Sequence, residues 1–275
     1  TLGSAAASPL LAWMILEIGW RWSFLIMAPL GLILSGLWWW YSRDNPAEHK
    51  AINQAEVDYI TGGNPPQALA PINPPGWVRV LRDRNVLLLT ASYSASNFVF
   101  YSVMSYFFLY LVEARMFEEI KAGALNGQIW LLAAGGAAFG GWLCDRLCKK
   151  LGLRWGYRWP IIIGQGGCAL LFFIGAYYAN PLVAVAILSF AFTFQQMTEG
   201  AYWAASISIG HQFAGAAGGI MNSGANFIGA INAVVLVWLA ESCGWAFAMA
   251  SNAAFTLLAL ILMLFVRGEE SVPLD

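Results

Sequence analysis

Long runs of apolar residues follow one another along nearly the whole chain. Each run has about 20 residues, which is the length that an α-helix needs to cross the hydrocarbon core of a bilayer. The runs cover residues 2–18, 22–41, 86–112, 123–143, 160–178, 181–207, 215–240 and 245–266. A helix at the surface of a soluble domain would carry a charged face, and these runs do not. The pattern therefore predicts an all-α membrane protein with eight transmembrane helices.

Composition narrows the class of protein further. The 275 residues are 59% hydrophobic and 11% charged, and their mean hydropathy is +0.62. This composition excludes the basic soluble surface of a nucleic-acid-binding protein. The 4 cysteines form no CxxC pair and the 2 histidines lie far apart, so we expect neither a metal site nor a cofactor. An enzyme is disfavoured as well, because the sequence has no phosphate-binding glycine loop and no nucleophile with a nearby His.

The basic residues lie mostly on one side of the predicted membrane. Positive charge is favoured on the cytoplasmic side, so this asymmetry predicts a cytoplasmic C-terminus. Of the 14 Lys and Arg residues, the eleven on the predicted cytoplasmic side are Arg43, Lys50, Arg79, Arg82, Arg84, Arg146, Lys149, Lys150, Arg154, Arg158 and Arg267, and the other three are Arg21, Arg115 and Lys121.

A short repeat relates the first pair of spans to the last pair. Trp13, Gly19 and Trp20 recur with the same spacing as Trp238, Gly244 and Trp245. The repeating unit then contains six helices, as is common in secondary transporters, and two units would make twelve. We therefore expect that this chain, which starts at Thr1, corresponds to helices five to twelve and lacks the first four.

The long proline-rich connection between spans two and three agrees with this division. It predicts three regions: residues 1–41 as the last two helices of an N-terminal half, 42–84 as a cytoplasmic central loop, and 85–275 as a C-terminal six-helix half. Within the loop, residues 53–60 are expected to form a short helix at the membrane surface. Asn53 would be its N-cap, with Glu56 three residues later.

Residues 140–150 carry a glycine pair, a carboxylate and a basic cluster between two apolar runs. The sequence predicts a cytoplasmic loop or hinge there, in which Asp145 could cap or pair at a helix terminus and Arg146 would lie beside it. Such a loop could also do no more than orient the neighbouring spans.

Several strings of residues resemble known transporters. Gly141-Trp142-Leu143-Cys144-Asp145-Arg146 resembles the G-x-x-x-D-R loop motif of the major facilitator superfamily. Gly19-Trp20-Arg21-Trp22-Ser23-Phe24, Arg43-Asp44-Asn45-Pro46-Ala47-Glu48-His49 and Ala55-Glu56-Val57-Asp58-Tyr59-Ile60 are similar to the anion:cation symporter family. The resemblance implies a major facilitator fold and import of a sugar acid or other small organic anion, often with a proton, across the bacterial cytoplasmic membrane. The family's usual coupling acid and substrate-binding arginine belong to the N-terminal helices and are not carried over.

Polar side chains at membrane depth are the candidates for a substrate path, because their burial in lipid is costly. Glu199, Trp203 and Ser206 are spaced to share one helical face. The carboxyl group of Glu199 is the candidate for coupling by binding a proton. It could instead be a structural pair or a neutral hydrogen-bonded acid.

Two further spans carry polar stripes. Asn222 and Asn226 lie at i and i+4 on span seven, and Tyr93, Asn97 and Tyr101 lie at successive i+4 steps on span three. Amide groups suit the hydroxyl and carboxylate oxygens of a sugar acid, although membrane Asn residues also join helices by hydrogen bonds. On span three, Tyr106 and Tyr110 are expected in the outer aromatic belt.

The sequence therefore favours a monomeric secondary transporter in the bilayer that imports an organic anion with a cation, most simply a proton, by alternating access. Asp145 and Arg146 would act as a conformational latch. An exporter with the same fold, or a membrane receptor or scaffold that does not transport, are the alternatives.

Overall fold

The computed structural model describes residues 2–43, 45–61 and 76–267, and the regular secondary structure of these residues is entirely helical. Short 3-10 helices lie at Pro46–Glu48 and His211–Phe213. Residues 62–75 of the proline-rich central connection and residues 268–275 of the C-terminal tail lie outside the described residues. The α-helices are α1 (Leu2–Tyr41), α2 (Gln54–Thr61), α3 (Gly76–Arg82), α4 (Arg84–Glu113), α5 (Glu119–Tyr177), α6 (Pro181–Met197), α7 (Glu199–Gly210), α8 (Ala214–Cys243) and α9 (Trp245–Phe265).

Six helical stretches in the described part of the chain are long and apolar enough to cross a membrane: α1, α4, α5, α8, α9, and α6 with α7 taken together. Two of them are each broken at one glycine. In α1, of 40 residues, Gly19 has φ 80° and ψ 159°. In α5, of 59 residues, Gly152 has φ 79° and ψ 168°. Each of these helices therefore comprises two membrane-length segments, and the prediction of eight spans is confirmed.

The glycine that joins α8 to α9 has the same backbone conformation. Gly244 has φ 87° and ψ 158°, a region of conformational space that is essentially restricted to glycine. Gly19 and Gly244 are the two glycines matched in the sequence repeat. Their equal conformations agree with an equivalence between the two pairs of segments that they join.

The prediction of a loop at residues 140–150 is wrong, because α5 is helical through this whole stretch and is broken only at Gly152. Polarity identified the end of the apolar run, but the helix continues for about two turns beyond it. Asp145 is therefore an exposed side chain within a helix and does not cap a helix terminus.

The chain divides into two compact units. One comprises Thr1–Ala12 and Pro75–Asp275, and the other comprises Trp13–Pro74. The smaller unit contains the later part of α1, the first 3-10 helix and α2. The predicted cap is confirmed there, because the side-chain oxygen Oδ1 of Asn53 accepts a hydrogen bond from the backbone N–H of Glu56 at 2.9 Å. The predicted regions 1–41, 42–84 and 85–275 stay a prediction.

The larger unit packs α4 against α8 and α9, and α5 against α6, α7 and α9. Its apolar core has two parts. One is built around large buried rings such as Phe98, Phe107 and Phe192, and the other contains Tyr202 and Met221 among its buried residues. This packing fixes α4, α7 and α8 as neighbours, and these three helices carry the polar side chains considered below.

Two arginines hold helix ends in this unit. Arg115 donates to the backbone carbonyls of Gly175, Ala176 and Tyr178, at distances of 2.9–3.3 Å, at the C-terminal end of α5. Arg158 donates to the carbonyls of Leu264 and Val266, at the C-terminal end of α9. A cation near the last carbonyls of a helix satisfies them and complements the helix dipole.

The expectation of an outer aromatic belt fails for one tyrosine. Tyr110 is only 1% exposed, and its hydroxyl accepts a hydrogen bond of 2.6 Å from Nε of Arg115. The ring belongs to the core because it packs beneath the arginine that caps α5.

Candidate functional site

Glu199 is the centre of a hydrogen-bonded group formed by α4 and α7. The hydroxyl of Tyr93 donates to Oε1 of Glu199 at 2.6 Å. Nε1 of Trp203, one turn further along α7, donates to the same oxygen at 2.9 Å. The structure therefore brings together three of the residues that the sequence singled out, and two neutral donors stabilise one carboxyl oxygen.

The helix is interrupted just before Glu199, within the apolar run of residues 181–207 that was predicted as one span. Helix α6 ends at Met197 and α7 begins at Glu199. At Thr198 the backbone N–H bonds to the carbonyl of Gln195 at 3.0 Å, and the hydroxyl donates to that same carbonyl at 2.7 Å. Glu199 thus lies in the first turn of α7, where the helix dipole favours a carboxylate. The only signal in the sequence was the polar and small triplet Thr198-Glu199-Gly200.

A second hydrogen-bonded group lies on α8. The hydroxyl of Tyr101 donates to Oδ1 of Asn226 at 2.8 Å, and Nδ2 of Asn226 donates to the backbone carbonyl of Asn222 at 2.8 Å. Both asparagines are exposed. Asn222 and Asn226 are predicted substrate-binding residues, whereas Tyr101 was predicted only as part of the i+4 stripe of Tyr93 and Asn97.

Both groups lie on the mutually packed helices α4, α7 and α8 and are partly exposed, and we call their side chains the polar wall. Trp203 is 37% exposed and Tyr93 is 4% exposed, so the tyrosine lies behind the surface. The polar wall consists of Tyr93, Tyr101, Glu199, Trp203, Asn222 and Asn226.

Two of the predicted site residues lie away from this surface. Asn97 is 6% exposed and donates to the backbone carbonyl of Tyr93 at 2.9 Å. Ser206 is 0% exposed, and its hydroxyl has no hydrogen-bond partner among the described residues. Spacing along a helix placed them on the stripes of Tyr93 and Glu199, but it did not show that neighbouring helices would cover them.

A separate set of polar side chains is completely buried between α4, α5 and α6. Nε2 of Gln165 donates to Oγ of Ser96 at 2.6 Å and to Oγ1 of Thr198 at 3.3 Å. Nε2 of Gln195 also donates to Oγ of Ser96, at 3.2 Å. We call Ser96, Gln165, Gln195 and Thr198 the buried amide cluster. All four residues are 0% exposed, so the cluster joins helices and is shielded from solutes.

The predicted latch residues lie near the end of the first segment of α5. Asp145 and Arg146 are both exposed. The guanidinium of Arg146 lies 5.4 Å from the ring centroid of Trp142, a distance that permits a cation–π contact. Neither side chain forms an ion pair with another of the described residues.

A cavity beside a charged side chain lies elsewhere. It has a volume of about 500 Å³ and is lined by residues that include Arg115, Tyr178 and Trp245. Arg115 already donates to four oxygens there. Its capping bonds leave it little capacity for a ligand, so we regard the polar wall as the better candidate site. Among the described residues, no group of three or more His, Cys, Asp and Glu side chains could hold a metal ion.

Comparison with known proteins gives a consistent result. The family model described as Major Facilitator Superfamily matches residues 1–195. A protein named as a probable sulfoacetate transporter from Cupriavidus necator is 29% identical over 88% of this chain and 56% of its own length. A D-galactonate transporter from Escherichia coli is 25% identical over 98% of this chain and 64% of its own length.

A hexuronate transporter from Bacillus subtilis is also 25% identical, over 99% of this chain and 64% of its own length. The chain thus spans less than two thirds of the length of these curated relatives. The superfamily resemblance of the sequence motifs is confirmed, and the relatives' names agree with the narrower resemblance to transporters of organic anions.

Proposed function

Because the chain belongs to the major facilitator superfamily, we propose that it is part of a secondary transporter that imports a small organic anion together with a proton. The observation that carries the proposal is the hydrogen bond of Glu199 with Tyr93, which lies on the same stripe of α4 as Tyr101, the partner of the exposed Asn226. The relatives named above are transporters of a sulfonated acid and of sugar acids, which are anions of this class. We assign the eight helical segments to the last eight helices of a twelve-helix transporter.

The polar wall can recognise an acid through neutral groups. Asn222 and Asn226 offer amide donors and acceptors, and Tyr101 offers a hydroxyl, which match the hydroxyl and carboxylate oxygens of a sugar acid. Because these groups are neutral, they select solutes that form hydrogen bonds but do not discriminate between charged and uncharged solutes. A carboxylate on Glu199 would repel an anion that binds beside it.

This repulsion provides a physical basis for coupling. Like charges a few ångströms apart in a medium of low dielectric constant disfavour each other strongly. Anion binding therefore favours the protonated form of Glu199, and protonation favours anion binding to the same extent, since linkage is reciprocal. Tyr93 and Trp203 hold the carboxyl group in place in both forms.

Alternating access completes the proposed cycle. We place the C-terminus in the cytoplasm, in a bacterial cytoplasmic membrane, and expect the transporter to act as a monomer. Asp145 and Arg146, both exposed near a predicted cytoplasmic helix end, are assigned to a latch that forms in one conformation only.

The test is uptake of labelled acids by cells that express the full-length gene for this chain. The panel contains sulfoacetate, D-galactonate and a hexuronate, each with and without an inward proton gradient. Accumulation of one acid that rises with the gradient supports proton-coupled import. Efflux of preloaded acid without accumulation would indicate an exporter. No movement of any acid, with the protein detected in the membrane, would contradict the proposal.

A further inference from the structure

Helix α8 presents a glycine to each of the two partly exposed rings of the polar wall. A Cβ atom added at Gly229 would lie 2.7–2.8 Å from Cε2, Cζ and Cδ2 of Tyr101. Side-chain carbons do not approach one another this closely. The ring of Tyr101 can therefore rest against α8 only because residue 229 has no side chain.

Gly218 has the same relation to Trp203, at a slightly larger distance. A Cβ atom there would lie 3.1 Å from Cζ3 of Trp203 and 3.6 Å from Oγ of Ser206. The first distance is tighter than an ordinary van der Waals contact, so the indole would have to move by a few tenths of an ångström. Gly218 is buried, as is Gly229.

The two glycines lie on one face of α8. They are eleven residues apart, which is close to three helical turns and about 16 Å along the axis. Asn222 and Asn226 lie between them in the sequence. The rings that the glycines accommodate are the ones that bond to Asn226 and to Glu199.

From this arrangement we infer that Gly218 and Gly229 determine the size of the anion that the polar wall accepts. Without a side chain at these positions, Trp203 and Tyr101 lie back against α8 and leave room beside the amides for a long polyhydroxylated acid. A methyl group at either position pushes a ring outward and favours a shorter acid. The inference rests on the proposed function for its substrate class, and the glycines act by positioning the rings.

The same helix supplies matched controls. Gly224 is also tightly packed, because an added Cβ would lie 2.6 Å from both Oγ of Ser94 and Cγ2 of Thr90, neither of which belongs to the polar wall. Gly219 has open space around it, with nothing within 4 Å. Gly224→Ala therefore measures the effect of a steric clash that does not involve Tyr101 or Trp203. Gly219→Ala measures the effect of an added methyl group without a clash.

The experiment compares these alanine variants in the full-length protein by uptake of sulfoacetate and of D-galactonate. For Gly229→Ala, the ratio of Vmax/KM for the long acid to that for the short acid should fall about tenfold, since one methylene group in a pocket changes specificity by about 10–200-fold. Gly218→Ala should change the ratio less. Gly224→Ala and Gly219→Ala should leave it unchanged, even if Gly224→Ala lowers the amount of folded protein. Equal ratios in Gly229→Ala and wild type, or an equal shift in Gly224→Ala, would overturn the inference.

A second measurement does not depend on transport. The substitution Asn222→Cys places a thiol on the exposed face of α8. This thiol is alkylated in the purified full-length protein with a small and with a bulky maleimide. The labelling of the same protein without Asn222→Cys is subtracted, since it comes from the native cysteines. Gly229→Ala should slow the bulky reagent relative to the small one, and Gly224→Ala should not. If no acid is transported, the proposed function fails, and this labelling ratio alone decides the inference. An unchanged ratio in Gly229→Ala overturns it.

Discussion

The buried amide cluster and the polar wall both include side chains of α4, yet they differ in what they can do. On α4, Ser92 and Ser96 form one stripe, while Tyr93 and Tyr101 lie on a stripe one residue further on, rotated by about 100°. Ser92 bonds to the hydroxyl of Tyr202 at 2.9 Å and to the carbonyl of Ala259 at 2.7 Å, inside the helix bundle. The second stripe reaches Glu199 and Asn226, which are partly or fully exposed.

This contrast gives a criterion for polar residues inside a membrane protein. The side chains of the buried amide cluster have neighbours on every side, so their hydrogen bonds join helices and a solute cannot reach them. The side chains of the polar wall have hydrogen-bond donors and acceptors on a surface that a solute can approach. Polarity at membrane depth is common to both, and exposure separates them.

The largest effect is expected from Glu199→Gln. The amide keeps an oxygen that can accept from Tyr93 and Trp203, but it cannot bind and release a proton. For each coupled proton, a pH gradient of one unit supplies about 1.4 kcal/mol and supports about tenfold accumulation. The variant should lose this accumulation and equilibrate the acid, which uptake at two external pH values measures.

Exchange of labelled for unlabelled acid without a gradient is the control for Glu199→Gln. It should persist, because the variant is neutral and does not repel the anion. Gradient-driven accumulation equal to that of the wild type would remove Glu199 from the coupling step.

A smaller effect is expected from Asn226→Ala. The substitution removes an exposed amide that can bond to the acid, and with it the acceptor for Tyr101. A lost hydrogen bond of about 1.4 kcal/mol should raise KM about tenfold with little change in Vmax. Initial rates over a range of acid concentrations measure both.

Tyr101→Phe separates the two roles of Asn226. It removes the hydroxyl that bonds to the amide and that can also bond to the acid, and it keeps the side chain of Asn226. If Asn226 served only to hold Tyr101, both variants would have the same KM. A KM equal to that of the wild type in both variants would contradict the assignment of the polar wall.

Much of the fold could be predicted because lipid imposes a simple rule on the sequence. Each span needs about 20 apolar residues, so hydropathy predicts the eight segments. The repeated Trp-Gly-Trp spacing around Gly19 and Gly244 predicts that the two junctions are equivalent, and their backbone conformations are the same. The cap of α2 was predictable because Asn53 and Glu56 act locally.

What could not be predicted depends on neighbouring helices or on helix formation outside the apolar runs. Hydropathy gives the end of a span but not the end of its helix, so it predicts a loop around Asp145, where α5 in fact continues. The i+4 spacing of Asn97 placed it on a stripe with Tyr93, but only packing shows that it is covered. Tyr101 joins the polar wall through Asn226, a residue 125 positions away in the sequence.

A modest effect is expected from Asp145→Asn, which tests a carboxylate that belongs to neither set of polar residues. An exposed ion pair contributes about 0.2–1 kcal/mol, so loss of a latch in one conformation should change the maximal rate by at most about fivefold. KM should remain unchanged, since no hydrogen bond or ion pair in the described part of the chain joins Asp145 to the side chains of the polar wall. Uptake rates at saturating acid measure the effect, with Lys150→Gln as a control at the same helix end. An unchanged rate in a well-expressed variant would exclude the latch.

The smallest effect is expected from Gln165→Leu. It tests whether the buried amide cluster only joins helices and takes no part in binding the acid. The substitution removes the donor to Ser96 and Thr198 but keeps the side chain's approximate size. Hydrogen bonds between membrane helices contribute about 0.6–1.7 kcal/mol, so thermal unfolding in detergent should occur at a slightly lower temperature while KM for the acid stays the same. Gln128→Leu is the matched control, because Gln128 lies on the same helix but is exposed. A raised KM for Gln165→Leu without loss of thermal stability would mean that the buried cluster takes part in substrate binding, and exposure would then no longer separate the two sets.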